Sequence, residues 1–300
     1  MKVFVTGSNG LVGSRFIELL SSKYEFITPL YPEFDLTNRE SIKKAFKENT
    51  PDVVVHFAAY TNVSEAENQR NNKEGDCWKI NVEGTRNIVS LIDPKKTHFI
   101  HISTDYVFPG SKEKPGPYSE ETVPETGSNK VTWYGYSKSE AEREVNNILK
   151  NDKSILRIIY PVRAKYDLKA DYLRKPLSLF DQGKLYPMFT DQQVSISFID
   201  EVCIVLDKII ANKLYGVFHS CSKDTSTPYD LVTYLIEKAR GVKNAVKPTT
   251  IDEFITNTNS SEVRYPKFGG LKTEKTQENL QIKFSTWKEI IDKLVKQGIS

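Results

Sequence analysis

Apolar positions follow two alternating rhythms through the first half of the chain. Val3 to Thr6 is a short apolar run closed by glycine, the pattern of a strand buried on both faces. Leu11, Val12, Phe16, Ile17, Leu19 and Leu20 then recur at helical spacing. The alternation continues with a strand over 25–30, a helix over 39–48 capped by Asn38, and a strand over 52–58 carrying Val53-Val54-Val55-His56-Phe57. A helix over 76–92, a strand over 98–102, a helix over 132–150 and a strand over 154–160 complete the series. Continuous Val/Ile/Phe runs, rather than alternation, suit parallel strands covered by helices.

This order predicts an α/β fold: a Rossmann-type doubly wound parallel sheet with right-handed crossovers. The rhythm weakens after about residue 160, where Pro, Lys, Asp and aromatic residues become more frequent. Residues 196–211 read as a strand end followed by a helix, 215–220 as a strand, and 229–239 and 286–296 as amphipathic helices. The expected organisation is a dinucleotide-binding domain over 1–160, with sheet elements returning at about 192–220. A smaller C-terminal substrate-binding lobe takes 161–191 and 221–300.

Composition narrows the function classes. The chain has 300 residues, 38% hydrophobic and 27% charged, with a mean hydropathy of −0.47, which describes a soluble globular protein. Lys+Arg 42 against Asp+Glu 39 leaves +3, which gives no support for a nucleic-acid or membrane-surface partner. No apolar run approaches the roughly 20 residues of a membrane span. The N-terminus enters a strand at once, so no signal peptide is expected. Cys77, Cys203 and Cys221 are scattered, which fits a reducing cytoplasm better than a disulfide framework. Neither CxxC nor HExxH occurs, so no metal site is expected.

Two motifs carry chemistry. Gly7-Ser8-Asn9-Gly10-Leu11-Val12-Gly13 follows a strand and opens a helix. Gly7 permits a tight turn, Gly10 lets backbone N–H groups approach a pyrophosphate, and Gly13 brings helix and strand together. No acidic residue directly follows the second strand and no Arg awaits a 2′-phosphate, so NADH and NADPH both remain candidates. The second motif is Tyr134-Gly135-Tyr136-Ser137-Lys138, with Tyr134 and Lys138 on one helix face. Reduction of a carbonyl needs a proton donor to the forming alkoxide. A phenol is a poor acid–base catalyst near neutral pH unless a cation such as Lys138 stabilises its phenolate. Ser103-Thr104, at a strand end where ligands bind in open α/β sheets, is placed to add a hydroxyl.

The glycine turn and Tyr134-x-x-x-Lys138 resemble the extended short-chain dehydrogenase/reductases, and within them the dTDP-4-dehydrorhamnose reductase family. The likeness is carried by Asp35-Leu36-Thr37-Asn38, by 58–67 (Ala-Ala-Tyr-Thr-Asn-Val-Ser-Glu-Ala-Glu), by Ile80-Asn81 and by 102–110 (Ile-Ser-Thr-Asp-Tyr-Val-Phe-Pro-Gly). Arg264-Tyr265-Pro266, 271–275 and Trp287 extend it to the C-terminus. The resemblance implies Thr104, Tyr134 and Lys138 as catalytic residues. It implies that Gly10, Leu11 and Val12 meet the pyrophosphate, that Asp35 and Leu36 flank the adenine, and that Ala58, Ala59, Tyr60 and Thr61 line the cofactor cleft. Thr61, Val63, Thr104, Asp105, Tyr106, Tyr160 and Arg264 would border the substrate. The implied reaction is NADH- or NADPH-dependent reduction of the C4 carbonyl of a sugar nucleotide, dTDP-linked, by a cytoplasmic homodimer.

Departures from the family pattern fall in the second half. Gln192-Gln193-Val194-Ser195-Ile196-Ser197 stands for Gln-Phe-Gly-x-Pro-Thr, Tyr160 for a tryptophan, and Arg264-Tyr265-Pro266-Lys267-Phe268 for Arg-Pro-x-x-Ser. Sugar nucleotide dehydratases resemble the chain but carry Thr-Asp-Glu. Here Tyr106 follows Asp105, so the eliminating carboxylate is missing. Epimerising reductases of the GDP-fucose type use a Cys and a His. The three thiols here lie outside matching motifs and read as buried packing, and His56, His98, His101 and His219 as satisfied strand residues. An alternative of another class is a cofactor-binding regulatory subunit, resembling the beta subunit of methionine adenosyltransferase.

Overall fold

The computed structural model describes residues 1–258 and 265–300. The chain divides into two compact units. The first comprises Met1–Phe108, Val123–Arg157 and Cys203–Phe218; the second comprises Pro109–Thr122, Ile158–Val202 and His219–Ser300. The segment Pro109–Thr122, which the sequence pattern assigns to the dinucleotide-binding domain, thus groups with the second unit.

Strands β1 (Lys2–Thr6), β2 (Glu25–Ile27), β3 (Val53–His56), β4 (His98–Thr104) and β5 (Lys153–Ile158) follow in chain order. Two pairs in the second half are short: β6 (Pro161–Val162) with β8 (Ser197–Phe198), and β7 (Met188–Phe189) with β10 (Pro248–Thr249); β9 (Gly216–Ser220) joins the large sheet. That sheet has six strands in the order β2-β1-β3-β4-β5-β9. β1 pairs parallel with both β2 and β3, and β3 with β4. The order therefore reverses between β1 and β3, and ligands of open α/β sheets bind beyond the strand ends at such a reversal. This is the Rossmann-like α/β fold.

Helices α1 (Gly13–Leu20), α2 (Arg39–Asn49) and α3 (Val63–Asn68) follow the first three strands. α2 begins where Asn38 accepts hydrogen bonds from the N–H groups of Glu40 and Ser41, as its cap pattern predicts. α4 (Asp76–Trp78), a π-helical stretch Lys79–Gly84 and α5 (Thr85–Val89) run on without a break in helical backbone. α6 (Trp133–Leu149) is the longest of these and carries the Tyr–Lys motif. Phe4, Ile42, Val54, Ile88, Phe99, Val145 and Ile155 are fully buried in one core of the first unit. Each such side chain contributes roughly 1.5–3 kcal/mol by leaving water.

In the second unit, α7 (Arg174–Asp181), α9 (Pro228–Arg240) and α12 (Trp287–Lys296) surround a core of Leu173, Leu177, Ile196, Leu231, Leu235, Ile290 and Leu294. α8 (Ile199–Ala211), α10 (Ile251–Thr258) and α11 (Glu274–Leu280) complete the fold. α12 starts with a full capping box between Thr286 and Glu289. Among the described residues, no helix is long and apolar enough to cross a membrane.

Candidate active site

The glycine turn is built by steric necessity. Gly7 has φ +67°, and a Cβ there would lie 2.7 Å from the Ala58 nitrogen, just past the end of β3. A Cβ on Gly13 would lie 2.4 Å from the Gly7 carbonyl oxygen. Ala58 N–H donates to Thr6 Oγ1 at 3.1 Å, tying the two strand ends across the sheet reversal. α1 then begins with no acidic residue in its first turn. Backbone close to backbone, left-handed glycine and an uncompensated helix N-terminus suit a bound pyrophosphate, so these residues fit a dinucleotide.

The loop after β3 is fixed from behind. Asn81, 1% exposed in the π-helical stretch, accepts from Tyr60 N–H at 2.8 Å and donates to Tyr60 O at 3.1 Å. Its amide also donates to Ser137 Oγ on α6 at 2.9 Å. One side chain thus joins the Ala58–Thr61 loop to the helix of the Tyr–Lys motif. A π turn shifts side chains by one position, and such turns recur at functional sites. Thr61 is exposed, and Asn62 caps α3, which begins at Val63. Asp35 accepts from Thr37 N–H and hydroxyl, both at 2.8 Å, in the β2–α2 connection. Leu36 packs into the core of the first unit, and its carbonyl accepts from Asn87.

Thr104, Asp105, Tyr106, Tyr134 and Lys138 meet at the end of β4. Thr104 starts a single turn, Asp105–Val107, and its Oγ1 accepts from Tyr106 N–H at 3.2 Å. The Thr104 hydroxyl donates to Asp105 Oδ1 at 3.1 Å and lies close enough to the Tyr134 hydroxyl to draw its pKa down. The rings of Tyr106 and Tyr134 meet edge-on, with centroids 5.8 Å apart. α6 comes this close because of Gly135: a Cβ there would lie 2.1 Å from the Tyr106 carbonyl oxygen. Thr132 caps α6, accepting from Gly135 N–H at 3.0 Å.

Lys138 is buried one turn along α6. Its Nζ donates to Ile102 O at 2.8 Å and lies 3.1 Å from His101 Nε2. Burial lowers it to about 8, against the opposing pull of Glu142 and Cys77. Burial raises Asp105 to about 7, although hydrogen bonds from Thr104 and from backbone N–H groups pull it down. Tyr134 is pushed up, first by burial and then by Asp105, Tyr106 and Cys77, with the Thr104 hydroxyl opposing. The phenol is thus held in its protonated form, the form from which a proton can be given. Desolvation and the nearby carboxyl outweigh the Thr104 hydroxyl in this arrangement.

Other sequence expectations land elsewhere. Tyr160 belongs to the second unit, has φ +39° and stacks on Tyr172 with centroids 3.9 Å apart. Arg264 lies outside the described residues. Cys77, Cys203 and Cys221 are free and buried. His98 and His101 are not satisfied strand residues, because Nδ1 of each is buried without a partner. Asn81, Gly135 and His101 are the residues that pattern reading passed over. The only signal for the first two was their place inside the resemblance and the motif.

The model of the RmlD substrate binding domain matches residues 1–299. A probable low-salt glycan biosynthesis reductase of Haloferax volcanii is 30% identical over 256 residues, covering 80% of this chain and 81% of the relative. A dTDP-4-dehydrorhamnose reductase of Sinorhizobium fredii is 27% identical and covers 98% of this chain and 97% of its own. Among solved structures, the Clostridium acetobutylicum dTDP-4-dehydrorhamnose reductase superposes with a TM-score of 0.84 at 26% identity, over 99% of each chain. The dTDP-4-dehydrorhamnose reductase of Bacillus anthracis, solved in complex with NADP, gives 0.85 at 24% identity, also over 99% of each chain.

Proposed function

This chain belongs to the RmlD substrate binding domain family, and from that premise we propose that it is an NADH- or NADPH-dependent oxidoreductase. Its reaction is reduction of the C4 carbonyl of a 4-keto-6-deoxy sugar nucleotide, dTDP-linked. The observation that carries the reading is the hydroxyl pair Thr104–Tyr134 beside Lys138, at the end of β4. Relatives named as dTDP-4-dehydrorhamnose reductase and dTDP-4-keto-6-deoxy-D-glucose reductase support the substrate class.

In this reading Gly7, Gly10, Leu11, Val12 and Gly13 hold the pyrophosphate, Asp35 and Leu36 flank the adenine, and Ala58, Ala59, Tyr60 and Thr61 line the cofactor's path. A bound reduced nicotinamide would supply the hydride to the carbonyl carbon. Thr104 and Tyr134 hydrogen-bond the carbonyl oxygen. As negative charge grows there, Tyr134 gives up its proton, and the product is the alcohol. The raised pKa of Tyr134 suits this direction, because the phenol keeps its proton until an alkoxide, a far stronger base, demands it. Lys138 holds a ribose hydroxyl and stabilises the phenolate that remains. Thr61, Val63, Asp105 and Tyr106 border the sugar. The buried free thiols support a reducing compartment, the cytoplasm. The family resemblance supports a homodimer, which sedimentation tests.

The test is to mix the protein with NADPH, then NADH, and enzymatically generated dTDP-4-keto-6-deoxy sugar, following loss of reduced-nicotinamide absorbance. Oxidation with a 6-deoxyhexose nucleotide as product is expected. Cofactor binding without turnover on dTDP-, UDP- or GDP-linked keto-sugars contradicts the reductase and supports a binding subunit.

A further inference from the structure

Beneath the site lies a buried polar row that the reaction above does not use. Thr6 pairs in register with His56, and His56 with His101, so these side chains share one face of three adjacent strands. His56 is held at both ring nitrogens, by Thr6 Oγ1 at 2.7 Å and by Thr85 Oγ1 at 3.1 Å. The His101 ring lies 5.5 Å from the tilted His56 ring and 6.4 Å from the near-parallel Phe99 ring, centroid to centroid. It is fully buried, yet only Nε2 has a partner, Lys138 Nζ at 3.1 Å. An unmet buried polar atom costs about 1–3 kcal/mol, which an apolar residue in mid-strand would avoid.

An ammonium has three donors and no acceptor, so Nε2 accepts and the ring proton resides on the orphan Nδ1. Burial, then the Lys138 and His56 charges, hold the imidazole neutral and therefore able to accept. With Ile102 O and His101 Nε2 taking two donors, the third N–H of Lys138 is left in a set direction for a ligand. The ionisable groups facing Lys138 are Glu142 on its own helix, Cys77 on α4, His56 on β3 and His101 on β4. Glu142 already answers Arg157 through two hydrogen bonds, at 2.9 and 2.7 Å.

We infer that His101 is the positioning residue of Lys138: as a neutral, Nδ1-protonated imidazole it fixes the direction of the ammonium and favours its charged form. The role of Lys138 in catalysis rests on the reductase reading; its tie to His101 does not. The first test needs no variant. In the full-length protein labelled with 15N-histidine, the two-bond proton–nitrogen spectrum is expected to show His101 as the Nδ1–H tautomer. An Nε2–H tautomer overturns the inference.

The second test follows Lys138 by 13Cε-lysine titration. His101→Leu is expected to move its midpoint down by about one pH unit, and His101→Gln, whose carbonyl accepts, to restore most of that shift. The alkaline limb of turnover should move with it. Unchanged titration in both variants shows plain packing and overturns the inference. If the wild type turns over no keto-sugar, the reductase reading fails, while tautomer and titration still decide the role of His101.

Discussion

Asp105 in the first unit and Asp171 in the second are equally buried, each 7% exposed. Their partners differ. Asp171 accepts from the backbone of Arg163, Leu173 and Arg174 and from the Arg174 guanidinium, so its charge is fully answered. Asp105 has a threonine hydroxyl and backbone N–H groups but no cation, and is raised to about 7. The contrast recurs nearby. In the second unit Glu120 accepts twice from Thr276, and Glu201 takes Ser285 and Lys293. On β4 of the first unit, His98 Nδ1, His101 Nδ1 and Ser103 Oγ are buried without partners; in the second unit the buried groups without partners include the neutral hydroxyls of Ser220 and Thr233, while these carboxylates are answered. Burial alone therefore does not mark the site. Saturated networks fix shape, and incompletely answered groups are held ready for a ligand or a proton.

The largest expected effect sharpens that difference. Asp171→Ala leaves the Arg174 guanidinium buried and unpaired, and should lower stability by about 3–5 kcal/mol in urea unfolding. Asp105→Asn should not destabilise at neutral pH. A loss for both variants would erase the distinction.

Asp105 also gives a pH signature. Its folded carboxyl keeps its proton to about 7, against an ordinary 3.8. Stability from this group is full below the ordinary value and is lost as pH rises through the folded one. Asp105→Asn should therefore gain little at pH 4 and about 4 kcal/mol at pH 8, read by thermal unfolding. A gain independent of pH would contradict the raised carboxyl. Next comes Gly135→Ala, whose methyl would meet the Tyr106 carbonyl at 2.1 Å. A loss of about 2–3 kcal/mol is expected, together with a fall in turnover from the displaced Tyr134. The smallest effect is Thr104→Val, expected to lower kcat about tenfold, near 1.4 kcal/mol, with cofactor affinity unchanged by fluorescence titration.

The two units also differ in how much of them was legible in the sequence. Runs such as Val53-Val54-Val55 and the spacing of Tyr134 and Lys138 state their structure locally, and Asn38 caps α2 as expected. The strand end and helix read over 196–211 are β8 and α8, whereas in the second unit α7, α10, α11 and the short strands β6, β7 and β10 went unseen. Their order comes from ties such as Asp171 to Arg174 or Thr190 N–H to Thr249 O, which leave no periodic mark. Within the site, the glycine turn and the Tyr–Lys pair were readable because their spacing is their function. The closeness of α6 to the Tyr106 carbonyl, the Asn81 clasp on Tyr60 and the His101–Lys138 contact were not. Each joins residues far apart in sequence, and the raised pKa of Tyr134 follows from that packing.

The most direct test compares wild type and Tyr134→Phe in the same assay, under saturating NADPH and dTDP-4-keto-6-deoxy sugar, with cofactor affinity measured alongside. The phenyl ring keeps the edge contact with Tyr106 and loses only the hydroxyl that Thr104 meets. A fall in kcat of about a hundredfold or more, with cofactor affinity within a few-fold, is the predicted result. Turnover that survives the loss of this hydroxyl would contradict proton donation by Tyr134.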